Sequence, residues 1–206
     1  MQKLLWLAVG GLLVQTAQAQ IPTELFVGHR KAQYELFWNR NIDSAGRFSV
    51  FTYNRLAIDY RDRNAYEFML YSVGQYNVSK TVGVAVGGYA FNGGIMPVAA
   101  LSLTWQGKDW FVNVFPTVEL RGNPNYELFG FASYTPRLTD KTRLFTQLIT
   151  NTNVNFRQHN LSIQQLRLGL WRNGFQFGAG LDLTTLTQPE RTQLTTNAGL
   201  FVRKEL

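Results

Sequence analysis

From Ile95 the chain alternates. One set of positions, Ile95, Pro97, Ala99, Leu101, Leu103 and Trp105, is apolar, while the interleaved set, Met96, Val98, Ala100, Ser102, Thr104 and Gln106, turns polar along its length. The stretch from Trp110 repeats the pattern, with Trp110, Val112, Val114, Pro116, Val118 and Leu120 against Phe111, Asn113, Phe115, Thr117, Glu119 and Arg121. Further on, Phe175, Phe177, Ala179, Leu181 and Leu183 oppose Gln176, Gly178, Gly180, Asp182 and Thr184. A period of two places alternate side chains on opposite faces of an extended strand; a helix would repeat at 3.6. Past Gln20 no stretch approaches the length of a transmembrane helix. The predicted strands run to about 10 to 12 residues where 5 or 6 is usual. At about 3.3 Å per residue and a tilt near 40°, roughly 11 residues rise about 28 Å, close to the thickness of a bilayer's apolar core.

Turn residues punctuate the pattern at Arg61-Asp62-Arg63-Asn64, Asn92-Gly93-Gly94, Gln106-Gly107-Lys108-Asp109, Gly122-Asn123-Pro124-Asn125, Arg172-Asn173-Gly174 and Thr187-Gln188-Pro189-Glu190. Each supplies residues that tolerate left-handed backbone or set a turn. Ten strands follow, at about 46–60, 65–78, 81–91, 95–106, 109–121, 125–135, 142–154, 161–172, 174–185 and 193–205. Hairpins in succession with no helical crossover build an antiparallel meander. No linker, long-period repeat or low-complexity tract interrupts it, so residues 20–206 read as one β-barrel domain.

Composition changes the picture at the N-terminus. The charge of +7 and pI near 9.8 would in isolation point to an acidic partner such as nucleic acid. Met1-Gln2-Lys3, the apolar run Leu4 to Val14 and the small-x-small Ala17-Gln18-Ala19 instead read as a secretory signal, residues 1–19, cleaved after Ala19. Export excludes nucleic acid as the partner. With no Cys in the chain, a disulfide framework, a Cys-based zinc site and a lipid-anchored N-terminus are excluded as well.

Alternation alone suits both a membrane barrel and a soluble lipocalin-like barrel, with inside and outside exchanged. Long strands, aromatic residues near strand ends (Trp38, Tyr53, Tyr60, Trp105, Trp110, Tyr126, Tyr134, Trp171) and charges within strands favour the membrane. The expected fold is therefore an all-β, antiparallel, up-and-down transmembrane β-barrel of about ten strands. Its candidate lumen-lining residues are Arg55, Asp59, Glu67, Glu119, Arg121, Glu127, Arg167, Asp182, Arg203 and Glu205, which sit opposite apolar sets. Residues 20–45 break the even count that keeps both termini on one side. They either enter the lumen as a plug or split near Gly28-His29-Arg30 into two strands, making twelve.

Tyr76-Asn77-Val78-Ser79-Lys80-Thr81-Val82-Gly83 and Ser133-Tyr134-Thr135-Pro136-Arg137-Leu138-Thr139-Asp140-Lys141 resemble the periplasmic turns of Gram-negative outer-membrane β-barrel proteins. The ending Gly199-Leu200-Phe201-Val202-Arg203-Lys204-Glu205-Leu206 resembles their C-terminal β-signal, departing from it by closing on Leu206 instead of an aromatic residue. The resemblance implies residence in the outer membrane, contact with its lipid and insertion by the barrel-assembly machinery. It implies no defined activity.

Motifs of catalysis are nearly absent. There is no P-loop, H-E-x-x-H, dinucleotide fingerprint or G-x-S-x-G, and no cofactor is expected. His159 with Ser162 could serve an outer-membrane hydrolase only if the two lie within hydrogen-bond reach and a third group orients the imidazole. Three residues apart at the start of a strand, they read as an exposed loop pair. Asp59 and Asp62 beside Arg61 and Arg63 read as a salt-bridged turn. With short loops and charges of both signs inside, the expected role is structural or narrow-channel, porin-like and not enzymatic. A hydrolase and a soluble periplasmic carrier are the alternatives.

Overall fold

A computed structural model describes residues 22–62, 66–188 and 191–205; the signal-sequence expectation lies outside them. The strands are β1 (Pro22–Gly28), β2 (Lys31–Asn41), β3 (Phe48–Asp59), β4 (Tyr66–Asn77), β5 (Val82–Phe91), β6 (Gly94–Gln106), β7 (Trp110–Glu119), β8 (Tyr126–Tyr134), β9 (Arg137–Thr139), β10 (Thr142–Val154), β11 (His159–Arg172), β12 (Phe175–Gln188) and β13 (Arg191–Glu205). Each long strand pairs antiparallel with the next, and β1 pairs with β13 over Pro22–Gly28, which closes the wall. The three-residue β9 only extends the turn before β10. Among the described residues the barrel thus has twelve wall strands.

Twelve replaces ten because the chain breaks at His29-Arg30. Gly28 ends β1, Lys31 starts β2, and the N-terminal stretch is part of the wall and not a plug. Burial alternates there as B-e-B-e-B from Glu24 to Gly28, so the segment satisfies the same two-faced rule as every other strand. Tight turns join the strands. At Asn173-Gly174 both residues have positive φ, 52° and 77°, the geometry that matches the twist of flanking strands in a two-residue hairpin. At Gly87 a Cβ would lie 2.1 Å from the carbonyl oxygen of Ser72, so only glycine permits that approach between β4 and β5.

Followed from partner to partner once around the wall, the pairing returns to β1 displaced by about 16 residues. For twelve strands that stagger gives a tilt of roughly 45° and a mean backbone radius of about 12 Å. The cross-section is flattened: Phe37 on β2 and Phe131 on β8, six strands apart in either direction, bring their ring centroids to 5.7 Å.

The outer face is apolar. Leu25, Val27, Leu70, Val84, Leu101, Leu128, Leu166, Leu168 and Leu200 are exposed there. One aromatic girdle, Phe48, Tyr76, Trp105, Trp110, Tyr134 and Phe175, rings the end that carries both termini; Tyr60, Tyr66, Phe68, Tyr126 and Phe156 ring the other. Leucine and valine outside, with arginine and carboxylates inside, is the polarity of a membrane-spanning barrel and excludes the soluble carrier. Two aromatics expected in the girdles are not there: Tyr53 is 3% exposed and Trp171 packs beside Phe26, Phe145 and Phe201. Both fall on the inward parity of their strands, which outweighs position along the strand.

Candidate functional site

Placing the termini in the periplasm, as an even-stranded barrel requires, sets the turns after β1, β3, β5, β7, β10 and β12 on the outside. Between the two ends the lumen is filled at mid-height by two halves of different chemistry.

One half is aromatic. Phe51 stacks on Phe115 with centroids 5.1 Å apart, Tyr53 meets Phe129 at 5.8 Å, and Tyr71, Val73, Val98 and Ile149 complete a buried cluster. The other half is ionic. Arg167 donates to Glu24 at 2.7 Å and to Asp182 at 2.6 Å, while Arg203 reaches the second Glu24 oxygen at 2.8 Å and Gln147 at 2.6 Å. Gln33 bridges Asp182 and Arg55, and Gln165 bridges Tyr53 and Glu35. The guanidinium of Arg167 lies 4.1 Å from the Phe26 ring centroid, and that of Arg203 lies 5.2 Å from Phe145 and 5.5 Å from Phe37. Arg203 therefore joins the two halves, by charge on one side and by the Phe37 ring on the other, while Phe26 and Phe145 belong to a second buried cluster with Phe201.

The sequence-derived lumen residues divide by height. Arg55, Arg167, Asp182 and Arg203 belong to this central layer. Asp59 and Glu67 stand nearer the outer mouth, paired with Arg30 at 3.1 Å and with Lys31 and Arg55 respectively. Glu119 and Glu127 are buried near that mouth as well. Arg121 lies beyond the end of β7, half-exposed, and reaches back to Glu119 at 2.7 Å. Glu205 sits at the periplasmic rim and accepts from Gln176 at 2.7 Å. Glu24, Glu35, Gln33, Gln147 and Gln165 were not singled out from sequence, yet the first four meet the arginines and Gln165 ties Glu35 to Tyr53. Their signal was available: all fall on the inward parity of their strands.

Above the central layer the lumen opens outward as a cup of about 540 Å³. Its polar wall includes Glu119, Glu127, Asn151 and Asn153; Leu161, Ile163 and Leu186 form an apolar side. Tyr89 donates its hydroxyl to Glu119, which also receives the amide of Asn125 at 3.1 Å.

His159 and Ser162 come together after all. A bulge where β10 meets β11 brings His159 Nε2 to 2.7 Å from Ser162 Oγ, with Nδ1 3.0 Å from Thr187 Oγ1. The third partner is a hydroxyl, where a carboxylate or amide would hold the imidazole. Ser162 Oγ is also shared with Thr152 at 3.0 Å, and the residue is 8% exposed. The arrangement joins strand ends at the outer rim. Among the described residues no group of His, Asp and Glu could hold a metal ion.

No family profile and no curated protein matches the sequence. Among solved structures, the NanC porin superposes with a TM-score of 0.52 at 8% identity, covering 91% of this chain and 98% of that one. The KdgM porin gives a TM-score of 0.48 at 10% identity, covering 91% and 99%. At such identities the likeness is one of fold, and the chain shares with the NanC porin a closed, antiparallel β-barrel.

Proposed function

We propose that the protein is a porin-like barrel of the outer membrane, in contact with its lipid after insertion by the barrel-assembly machinery, whose role is structural or narrow-channel and not enzymatic. The observation that carries this reading is the filled central layer: aromatic rings and arginine-carboxylate pairs meet across a flattened lumen and leave no wide bore at mid-height. Short outer connections add no broad surface for a large ligand.

A hydrolase has one observation in its favour, the 2.7 Å contact of His159 with Ser162. The hydroxyl partner, the shared serine oxygen and its burial weigh more heavily against it.

Planar-bilayer recording of the folded, purified protein tests the proposal. Silence supports the structural role, and small steps support a narrow path. Phe51→Ala with Phe129→Ala, which removes two rings of the central layer, is expected to raise conductance. A large, steady conductance from the unaltered protein would overturn the closed lumen. Ester hydrolysis lost in His159→Ala would overturn the non-enzymatic reading, and recovery in the soluble periplasm would overturn the location.

A further inference from the structure

We infer that the outward-opening cup binds a small organic cation, a primary ammonium seated against Glu127 with its aliphatic body against Leu161, Ile163 and Leu186. The inference does not rest on conduction, because the cup lies above the central layer and needs no path through it.

Carboxylates around the cup are matched, with one exception. Glu67 has Lys31 and Arg55, Asp59 has Arg30, and Glu119 has Arg121. Glu127, 9% exposed, faces the amides of Asn151 and Asn153 and the carboxylate of Glu119; among the described residues no cationic side chain pairs with it. A buried charge calls for a partner of opposite sign. A second observation points the same way. Asn151 is 7% exposed, lines the cup, and its Oδ1 has no hydrogen-bond partner. Asn153 stands directly across from Glu127 in the β8–β10 pairing and Asn151 two residues along on the same face, so the carboxylate and the unpaired amide oxygen are neighbours.

Ionised, Glu127 is an acceptor like the Asn151 amide oxygen, and the two together lack a donor. An ammonium brings the missing charge and three donors at once. A neutral polyol would satisfy the amide oxygen and leave the charge unmatched. An anion would meet Glu127 without a free cation, because the two arginines that line the cup are already held, Arg55 by Glu67 and Arg121 by Glu119. The cup's 540 Å³ lies within the roughly 300–1,000 Å³ of small-molecule sites, and its apolar side suits an alkyl body.

Calorimetric titration of the folded, detergent-solubilised full chain with butylamine, butanol and butyrate tests this. Saturable one-to-one binding of butylamine is expected, with no binding of butyrate. Glu127→Gln should weaken butylamine roughly tenfold or more, the scale of a hydrogen bond to a charged group. Asn151→Leu should weaken it several-fold, and Glu205→Gln at the opposite rim should leave it unchanged. Heat-modifiable gel mobility establishes that each variant is folded. Absence of saturable butylamine binding, equal affinity for butyrate, or unchanged affinity in both folded Glu127→Gln and Asn151→Leu would overturn the inference.

Discussion

Replacing Arg167 by Met removes the centre of the ionic half while keeping most of its bulk. Four contacts go: the 2.7 Å bond to Glu24, the 2.6 Å bond to Asp182, the 3.1 Å bond to the Leu166 carbonyl and the stack on Phe26. The two carboxylates do not suffer equally. Glu24 keeps Arg203 at 2.8 Å, whereas Asp182 is left with the amide of Gln33 alone. Both pairs are nearly inaccessible, with side chains 1% to 4% exposed, so water cannot replace the lost cation. Breaking a buried pair by removing one partner costs about 3–5 kcal/mol. Because one carboxylate and not two is stranded, we expect about 3 kcal/mol. Adding Asp182→Asn removes the stranded charge and should restore about 1–2 kcal/mol, a coupling within the usual range for residues in contact. The assay is reversible urea unfolding in lipid vesicles, followed by tryptophan fluorescence. A single variant costing less than about 1 kcal/mol, or a double variant less stable than the single, would refute the argument that Asp182 depends on Arg167.

Leu168 is next to Arg167 in sequence and points the other way, 59% exposed on the apolar belt. Leu168→Arg should cost about 2–4 kcal/mol in the same assay and Leu168→Phe nearly nothing, and equal tolerance of both would mean that the face does not meet lipid. In the turn between β2 and β3, Asp43 accepts the backbone amides of Phe48 at 2.7 Å and Arg47 at 3.1 Å, and the Phe48 bond foremost holds its carboxyl below the usual carboxylate range. Its contribution is therefore present above the ordinary carboxylate pKa and lost as pH falls through the lowered one. Amide exchange at Phe48 should be faster in Asp43→Ala than in the unaltered protein near neutral pH, and the difference should close in strong acid; a difference independent of pH would contradict the role of the charge. Gly87→Ala should lower the yield of folded barrel by forcing apart β4 and β5, read by heat-modifiable mobility, and an unchanged yield would show that the strands separate freely.

Much of the molecule follows from alternation along the chain. Parity by itself assigns Leu181 outward and Asp182 inward, Val114 outward and Asn113 inward, because a strand can offer its neighbours only two faces. The same parity, joined to strand length, decides that the barrel spans a membrane. Strand number was less legible. The break at His29-Arg30 carries no proline or Asn-Gly signal, and it became a turn because β1 finds β13 and β2 finds β3 as partners. Pairing across residues nearly two hundred positions apart is a property of closure, which local sequence does not encode. The central layer belongs to the same class. Arg167 and Asp182 could be read as lumen charges, but that Glu24 lies between Arg167 and Arg203, or that Phe37 meets Phe131, depends on register and on the flattening of the wall. His159 and Ser162 make the point at short range. Their spacing as a regular strand would set them on opposite faces, and the bulge opposite Val154 shifts that phase and joins them. Sequence alone thus determined which side of each strand meets lipid, since that depends on residue type and a period of two. Which inward groups touch, and therefore whether the lumen is open, was decided only when twelve strands closed at one stagger, since distances across a barrel depend on every register around it.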